Sequence, residues 1–294
     1  MKRLKISRVL ANGIMPLAAW ILVGSLALAG TSPAVAAATA AATRPAGASR
    51  PVGGAPSPLL INTGAPDGRM AMASRPANGP TVEIEAADDF SVTTHVQVVF
   101  ATITGLLPKD APLSTIQNVD LEMYRIFPLD SNTVRTITVP TRVNSPSDVD
   151  FGERSASAND LVFSAVELNS EFGAANSVLN GIHPKPNQTT GGEGPVTGEE
   201  VQINITLTVP FQLDAGHYFF IPKVQLSSGN WYWLSAAGPA QFPGDLQAWI
   251  RNTALDPDWL RVGTDIVGGV TPPKFNGSFS LSSGHEIYLP LIMR

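Results

Sequence analysis

The chain has 294 residues, with 19 Lys and Arg against 24 Asp and Glu, for a formal net charge of −5. It has no cysteine, which excludes disulfide staples, thiolate nucleophiles and Cys-ligated zinc. No cluster of Lys and Arg follows the first ten residues, so neither nucleic acid nor an anionic lipid surface is expected as a partner.

Residues 1–36 read as a secretory signal peptide. Lys2, Arg3, Lys5 and Arg8 make a basic start, residues 14–29 an uncharged apolar run, and Ala34-Val35-Ala36 a small-residue cleavage pattern. The run is short for a membrane-spanning helix, which needs about 20 residues. Cleavage after Ala36 is therefore expected, with a secreted or cell-surface destination and membrane contact only through the transient signal peptide. Cleavage removes four basic and no acidic side chains, which takes the net charge to −9. Residues 37–80 are rich in Ala, Pro, Gly, Thr and Ser and bury too little to offset their ordering entropy, so they read as a linker. Within it, Leu59, Leu60, Ile61, Met70 and Met72 mark 59–73 as a part that packs along the following domain as an extended strand.

From Thr81 the pattern changes to period two, the mark of half-buried strands. Val82, Ile84 and Ala86 alternate with Glu83 and Glu85; Val96, Val98 and Phe100 share one face; Val119, Leu121 and Met123 share another. The longest alternation puts Val201, Ile203, Ile205, Leu207, Val209, Phe211 and Leu213 on one side, with Pro210 predicting an edge or a bulge. Asp214-Ala215-Gly216 reads as a hairpin turn into residues 217–226, and Ser228-Gly229-Asn230 as a second turn into Trp231 to Leu234, a three-stranded meander. Residues 160–168 and 275–281 add strands. Residues 169–198 and 236–273 lack strand patterning, and in the second Asp245 is placed to cap a short helix carrying Leu246, Trp249 and Ile250. Many short strands around one core predict an all-β domain over residues 81–286, an antiparallel β-sandwich of jelly-roll type, with a closed barrel as the alternative.

Few motifs carry chemistry. There is no G-x-S-x-G and no H-E-x-x-H, and His95, His183, His217 and His285 lie far apart. The adjacent carboxylates Asp88-Asp89 and Glu199-Glu200 read as solvated strand ends, because glycosyl chemistry needs two carboxylates at a defined separation. Asp148 with Asp150, and Asp256 with Asp258, are spaced as oxygen ligands in loops that could hold calcium; the competing reading is acidic turn residues that bond their own backbone. Trp231, Tyr232, Trp233, Trp249 and Trp259 concentrate in one third of the chain. Tyr232, Trp249 and Trp259, with Arg251 among them, are candidates for a sugar-stacking platform, against core packing as the alternative. Exposure of Trp249 or Trp259 on a concave face favours that platform; burial of both counts against it.

Several segments resemble a family of uncharacterised exported bacterial proteins. They are Thr63 to Pro76 (TGAPDGRMAMASRP), Ala87 to Phe90 (ADDF), Val139 to Val149 (VPTRVNSPSDV), His183 to Gly192 (HPKPNQTTGG) and Asp258 to Asp265 (DWLRVGTD). The resemblance implies an exported β domain and supplies no catalytic residues. The last eight residues, Ile287 to Arg294, look like a tail found on other exported bacterial proteins, a sorting tag; the alternative is a final edge strand in which Pro290 blocks further pairing. The functional expectation is an exported, non-enzymatic binding or structural module at the cell surface or in the medium, meeting a glycan or a surface protein. The rivals are a carbohydrate-binding module using the aromatics of 231–259 and a hydrolase built from loops around His183 or His217.

Overall fold

A computed structural model describes residues 58–134, 139, 142–182, 185, 188–238 and 244–284. The expected signal peptide, the start of the linker, His183 and the 287–294 tail lie outside the described residues. Among those described, no helix is long and apolar enough to cross a membrane.

The protein is nearly all β. In chain order the strands are β1 (Leu59–Asn62), β2 (Pro66–Ala73), β3 (Ile84–Val92), β4 (Val96–Leu107), β5 (Ile116–Arg125), β6 (Gly152–Ser155), β7 (Leu161–Ala174), β8 (Asn176–Val178), β9 (Val196–Leu213), β10 (Gly216–Leu226), β11 (Tyr232–Ala236), β12 (Trp249–Asn252), β13 (Leu260–Arg261), β14 (Asn276–Gly277) and β15 (Phe279–Ser283). They form a nine-stranded and a six-stranded sheet. In the larger, β7, β9 and β4 lie side by side; the far edge of β4 pairs first with β15 and then with β11. The smaller runs β13-β12-β3-β10-β5-β6. All pairings are antiparallel except β2 with β8.

The alternation seen in the sequence builds the core between the sheets. Val201, Ile203, Ile205, Leu207, Phe211 and Leu213 of β9 face Ile84, Ala86 and Phe90 of β3, Leu121 and Met123 of β5, and Phe220 and Val224 of β10 in one apolar cluster. Met70 and Met72 of β2 belong to the same cluster, so the sheets take in residues that composition had grouped with the linker. Trp231 and Trp233 are wholly buried, each lying on a glycine. A Cβ on Gly105 would stand 2.3 Å from Trp231 Cζ2, and one on Gly277 would stand 2.1 Å from Trp233 Cζ2. No other residue type allows that approach.

Three local expectations are corrected. The turn at 214–215 does not close a hairpin: β9 belongs to the larger sheet and β10 to the smaller, where it pairs with β3 and β5. The chain then returns to the larger sheet at β11, because a two-sided core is filled by strands that cross it, not only by neighbours. Phe100 and Val209 do not share the core face with Val98 and Phe211. Between the pairs Val98–Phe211 and Phe100–Thr206, β4 carries one residue and β9 four, so β9 bulges and turns Val209 outward, while the inward phase of β4 passes from Val98 to Ala101 and Ile103 and leaves Phe100 outside. Pro210, without a backbone donor, lies in that bulge. Residues 249–252 form β12 and not a helix; Asp245 instead accepts the Gln247 N–H at 3.0 Å in a tight turn.

Candidate functional site

The outer face of the six-stranded sheet carries a buried set of charged side chains. Strand parity sends Glu85 of β3, Glu122 and Tyr124 of β5, Lys223 of β10 and Arg251 of β12 away from the central core. They are nonetheless buried, and the segments around 142–149 and 252–258 fold against Arg251 on that face. Arg251 reaches Glu85 through Nε and through Nη2 (3.2 Å to Oε1), and donates to the Tyr124 hydroxyl at 2.8 Å. Arg251 Nη1 donates to the carbonyls of Asp148 (3.1 Å) and Pro257 (3.0 Å), which ties both covering loops to the sheet. Lys223 Nζ donates to Glu122 and, at 2.7 Å, to Glu83. The Tyr124 hydroxyl lies 3.1 Å from Glu85 and 3.3 Å from Glu122.

Three carboxylates thus face two cations. Burial pushes Glu122 up to about 8, with Glu85 adding to the shift and Lys223 opposing it. For Glu85 burial acts the same way, but the Arg251 charge and hydrogen bonds overcome it and hold the carboxyl below its usual value. One proton on Glu122 balances the set. The carboxylate oxygens of Glu83, Glu85 and Glu122 lie within 4.8 Å of one another, close enough to share a metal ion. Lys223 already bonds two of them and Arg251 the third, so the cationic side chains fill the role that an ion would have.

Of the aspartates singled out for calcium, Asp148 and Asp258 come together, but on a guanidinium. Asp148 and Asp258 both face Arg142, whose Nε stands 3.5 Å from Asp258 Oδ1. Asp256 is exposed and 3.8 Å from Arg251 Nη1, and Asp150 is exposed. A guanidinium against three of the four carboxylates opposes a second cation there.

A second polar knot joins β3 to the segment before β12. Asp88 accepts the Gly277 N–H at 2.9 Å, and Asp89 accepts the Leu246 N–H at 2.9 Å and meets His217 Nε2. With its amide nitrogen turned toward the carboxylates, Asn276 donates to Asp88 at 3.2 Å and to Asp245 at 2.9 Å. Burial, then the neighbouring Asp89 charge, raises Asp88 well above the usual carboxylate range; burial also raises Asp89, against His217. Asp88 and Asp89 are buried pins, not the solvated strand end their adjacency suggested.

Among the four residues expected at a ligand, Trp249 and Trp259 are each 1 % exposed and pack with Tyr124, Phe219 and Ile221. Their indole nitrogens donate to Leu246 O and Ser147 O, both at 3.1 Å. Neither offers a ring face to a sugar. Arg251 is covered. Tyr232 differs: Trp231, just before β11, and Trp233 within it point inward and Tyr232 outward, where it is half-buried in a groove of about 320 Å³ lined also by Leu106, Pro108, Val196, Thr197 and Asn230. Another concavity, of about 260 Å³, opens on the outer face of the larger sheet among Thr102, Thr104, Glu200, Gln202 and Ser280.

Sequence reasoning missed Glu122, Tyr124 and Lys223. Alternation placed them opposite the core, and nothing local announces that two distant loops cover that face. No family model, curated protein or solved structure matches the chain, so function rests on this geometry alone.

Proposed function

We propose that the chain is an exported, non-catalytic β-sandwich module that binds a polyhydroxylated ligand of glycan type in the Tyr232 groove. The observation that carries this is the position of Tyr232, the one sequence-predicted aromatic whose ring borders open space, beside Thr197 and Asn230 as hydroxyl and amide partners. A tyrosine ring stacks on an apolar sugar face while neighbouring polar groups bind hydroxyls. The internal pairing of Glu85, Glu122, Lys223 and Arg251 supports a structural role for that charged set.

A glycan array probed with the purified chain and with Tyr232→Ala tests this. The expected result is saturable binding to one glycan class, lost in the variant at unchanged thermal stability. Binding retained by Tyr232→Ala, or binding to no glycan by a folded chain, overturns the groove reading. N-terminal sequencing of the protein recovered from culture medium tests export, with Ala37 expected first.

The contact between His217 and Asp89 favours a second reading, a hydrolase built around that pair. Turnover of ester or glycoside substrates, lost in His217→Ala, would establish it in place of the first.

A further inference from the structure

Where the turn between β10 and β11 meets residues 75–81, at one end of the sandwich, lies a cavity of about 120 Å³. Its lining includes Arg75, Asn78, Thr81, Gln225, Ser228 and Trp231, and no acidic side chain.

Arg75 is unlike the other described arginines. Arg69, Arg125, Arg142, Arg251 and Arg261 each face a carboxylate. Arg154 donates to three backbone carbonyls. Arg75 donates only to the Asn230 side-chain oxygen, and its Nε is buried with no acceptor. Trp231, wholly buried, lines the same cavity, and its indole N–H also lacks an acceptor. Two residues that line one space thus each hold a buried N–H without an acceptor, and one of them is a guanidinium with no carboxylate beside it. Leaving such donors unmade is costly, and a partly desolvated guanidinium more so. Burial holds the Arg75 pKa below its usual value, a penalty that a bound anion relieves.

We propose that this cavity binds a small oxyanion group, a carboxylate, sulfate or phosphate, through the Arg75 guanidinium with Asn78, Thr81 and Ser228 completing the donor set. The guanidinium fork suits two oxygens of such a group. The anion is recognised locally, since the chain as a whole is acidic. The site neighbours the Tyr232 groove, since Gly229 lines both and Asn230, which accepts from Arg75, lines the groove; a different cavity carries it, and the substitutions that test the two are different.

The test is a titration of the purified ¹⁵N-labelled chain with sodium acetate, sulfate or phosphate, each against sodium chloride at matched ionic strength. The readout is the indole N–H resonance of Trp231, assigned with Trp231→Phe. A saturable shift with a Kd of about 1 mM is expected for at least one oxyanion, with none in chloride. Arg75→Gln should weaken binding about ten-fold or more, and Arg75→Lys less, because an ammonium keeps the charge without the fork. Saturation by acetate first identifies a carboxylate site; saturation by sulfate or phosphate first identifies a tetrahedral one. No saturation with any oxyanion, equal shifts in chloride, or parent-like binding by Arg75→Gln overturns the proposal. Should Arg75→Gln lose its dispersed spectrum, Thr81→Val with Ser228→Ala takes its place, and parent-like binding by that pair is equally decisive.

Discussion

Glu85 and Arg251 form a two-pronged ion pair on the covered face of the smaller sheet, with both carboxylate oxygens engaged by one guanidinium. The pair sits across neighbouring strands, since Arg251 and Glu85 are register partners of β12 and β3. Arg251 also lies over the Trp259 ring, 4.3 Å from its centroid, and bonds the two loops that cover it. Its place is therefore structural. Removing one partner of a buried pair strands the other charge, which costs about 3–5 kcal/mol, whereas replacing both with apolar groups is near neutral. Arg251→Met is expected to lower the unfolding free energy by that amount in urea titration, and the double variant Glu85→Leu, Arg251→Met to recover most of it. A single variant as stable as the parent would show that the pair does not hold the covering loops.

The excess carboxylate in the same cluster sets a pH dependence. Glu122 loses its proton near 4.5 in the unfolded chain and near 8 in the folded one, because burial disfavours its charged form. Between those values the folded state holds more protons, so stability falls as pH rises through the window, by at most about 1.4 kcal/mol per pH unit. Below 4.5 and above 8 this group contributes no slope. Asp88 and Asp89 shift in the same direction, starting from 3.8, and remain in any Glu122 variant. The informative quantity is thus the difference between the parent and Glu122→Gln across pH 5 to 8. The variant is expected to gain on the parent steadily through that range. Parallel curves would place the extra proton elsewhere in the cluster.

How far this was legible in the sequence depends on how local each cause is. Period two in residues 201–213 made the inner face of β9 readable, because a strand's own parity decides which side meets an apolar layer. The outward placement of Phe100 and Val209 was not readable, since a bulge depends on how two strands align. Trp231 and Trp233 share a face in any strand, so their burial together, with Tyr232 outward, follows from spacing. The burial of Trp249 does not: its face of β12 is the outer one, and it is buried only because Trp259 and the covering loops close over it. Glu122 and Lys223, charges that alternation sends away from the core, are likewise an internal pair. Arg75 gave no signal at all in sequence, for its distinction is the absence of a carboxylate around it in space.

Trp259 separates a core role from a ligand role directly. Its ring packs edge-on against Tyr124, with centroids 5.6 Å apart, its N–H is taken by Ser147 O, and Arg251 lies on its face. Deleting a buried tryptophan removes its transfer free energy and leaves a cavity, which costs about 3–5 kcal/mol. The carbonyl of Ser147 and the guanidinium face would lose their contacts as well, so the value expected for Trp259→Ala lies toward the upper end. Trp259→Phe keeps most of the ring but not the N–H, and should cost about 1–3 kcal/mol through the stranded acceptor and residual void. Urea titrations of the two variants give these values. If Trp259→Ala instead left stability unchanged while abolishing binding to a glycan, the ring would have to be reachable from solvent, and the covering segments 142–149 and 252–258 would have to open to admit the ligand.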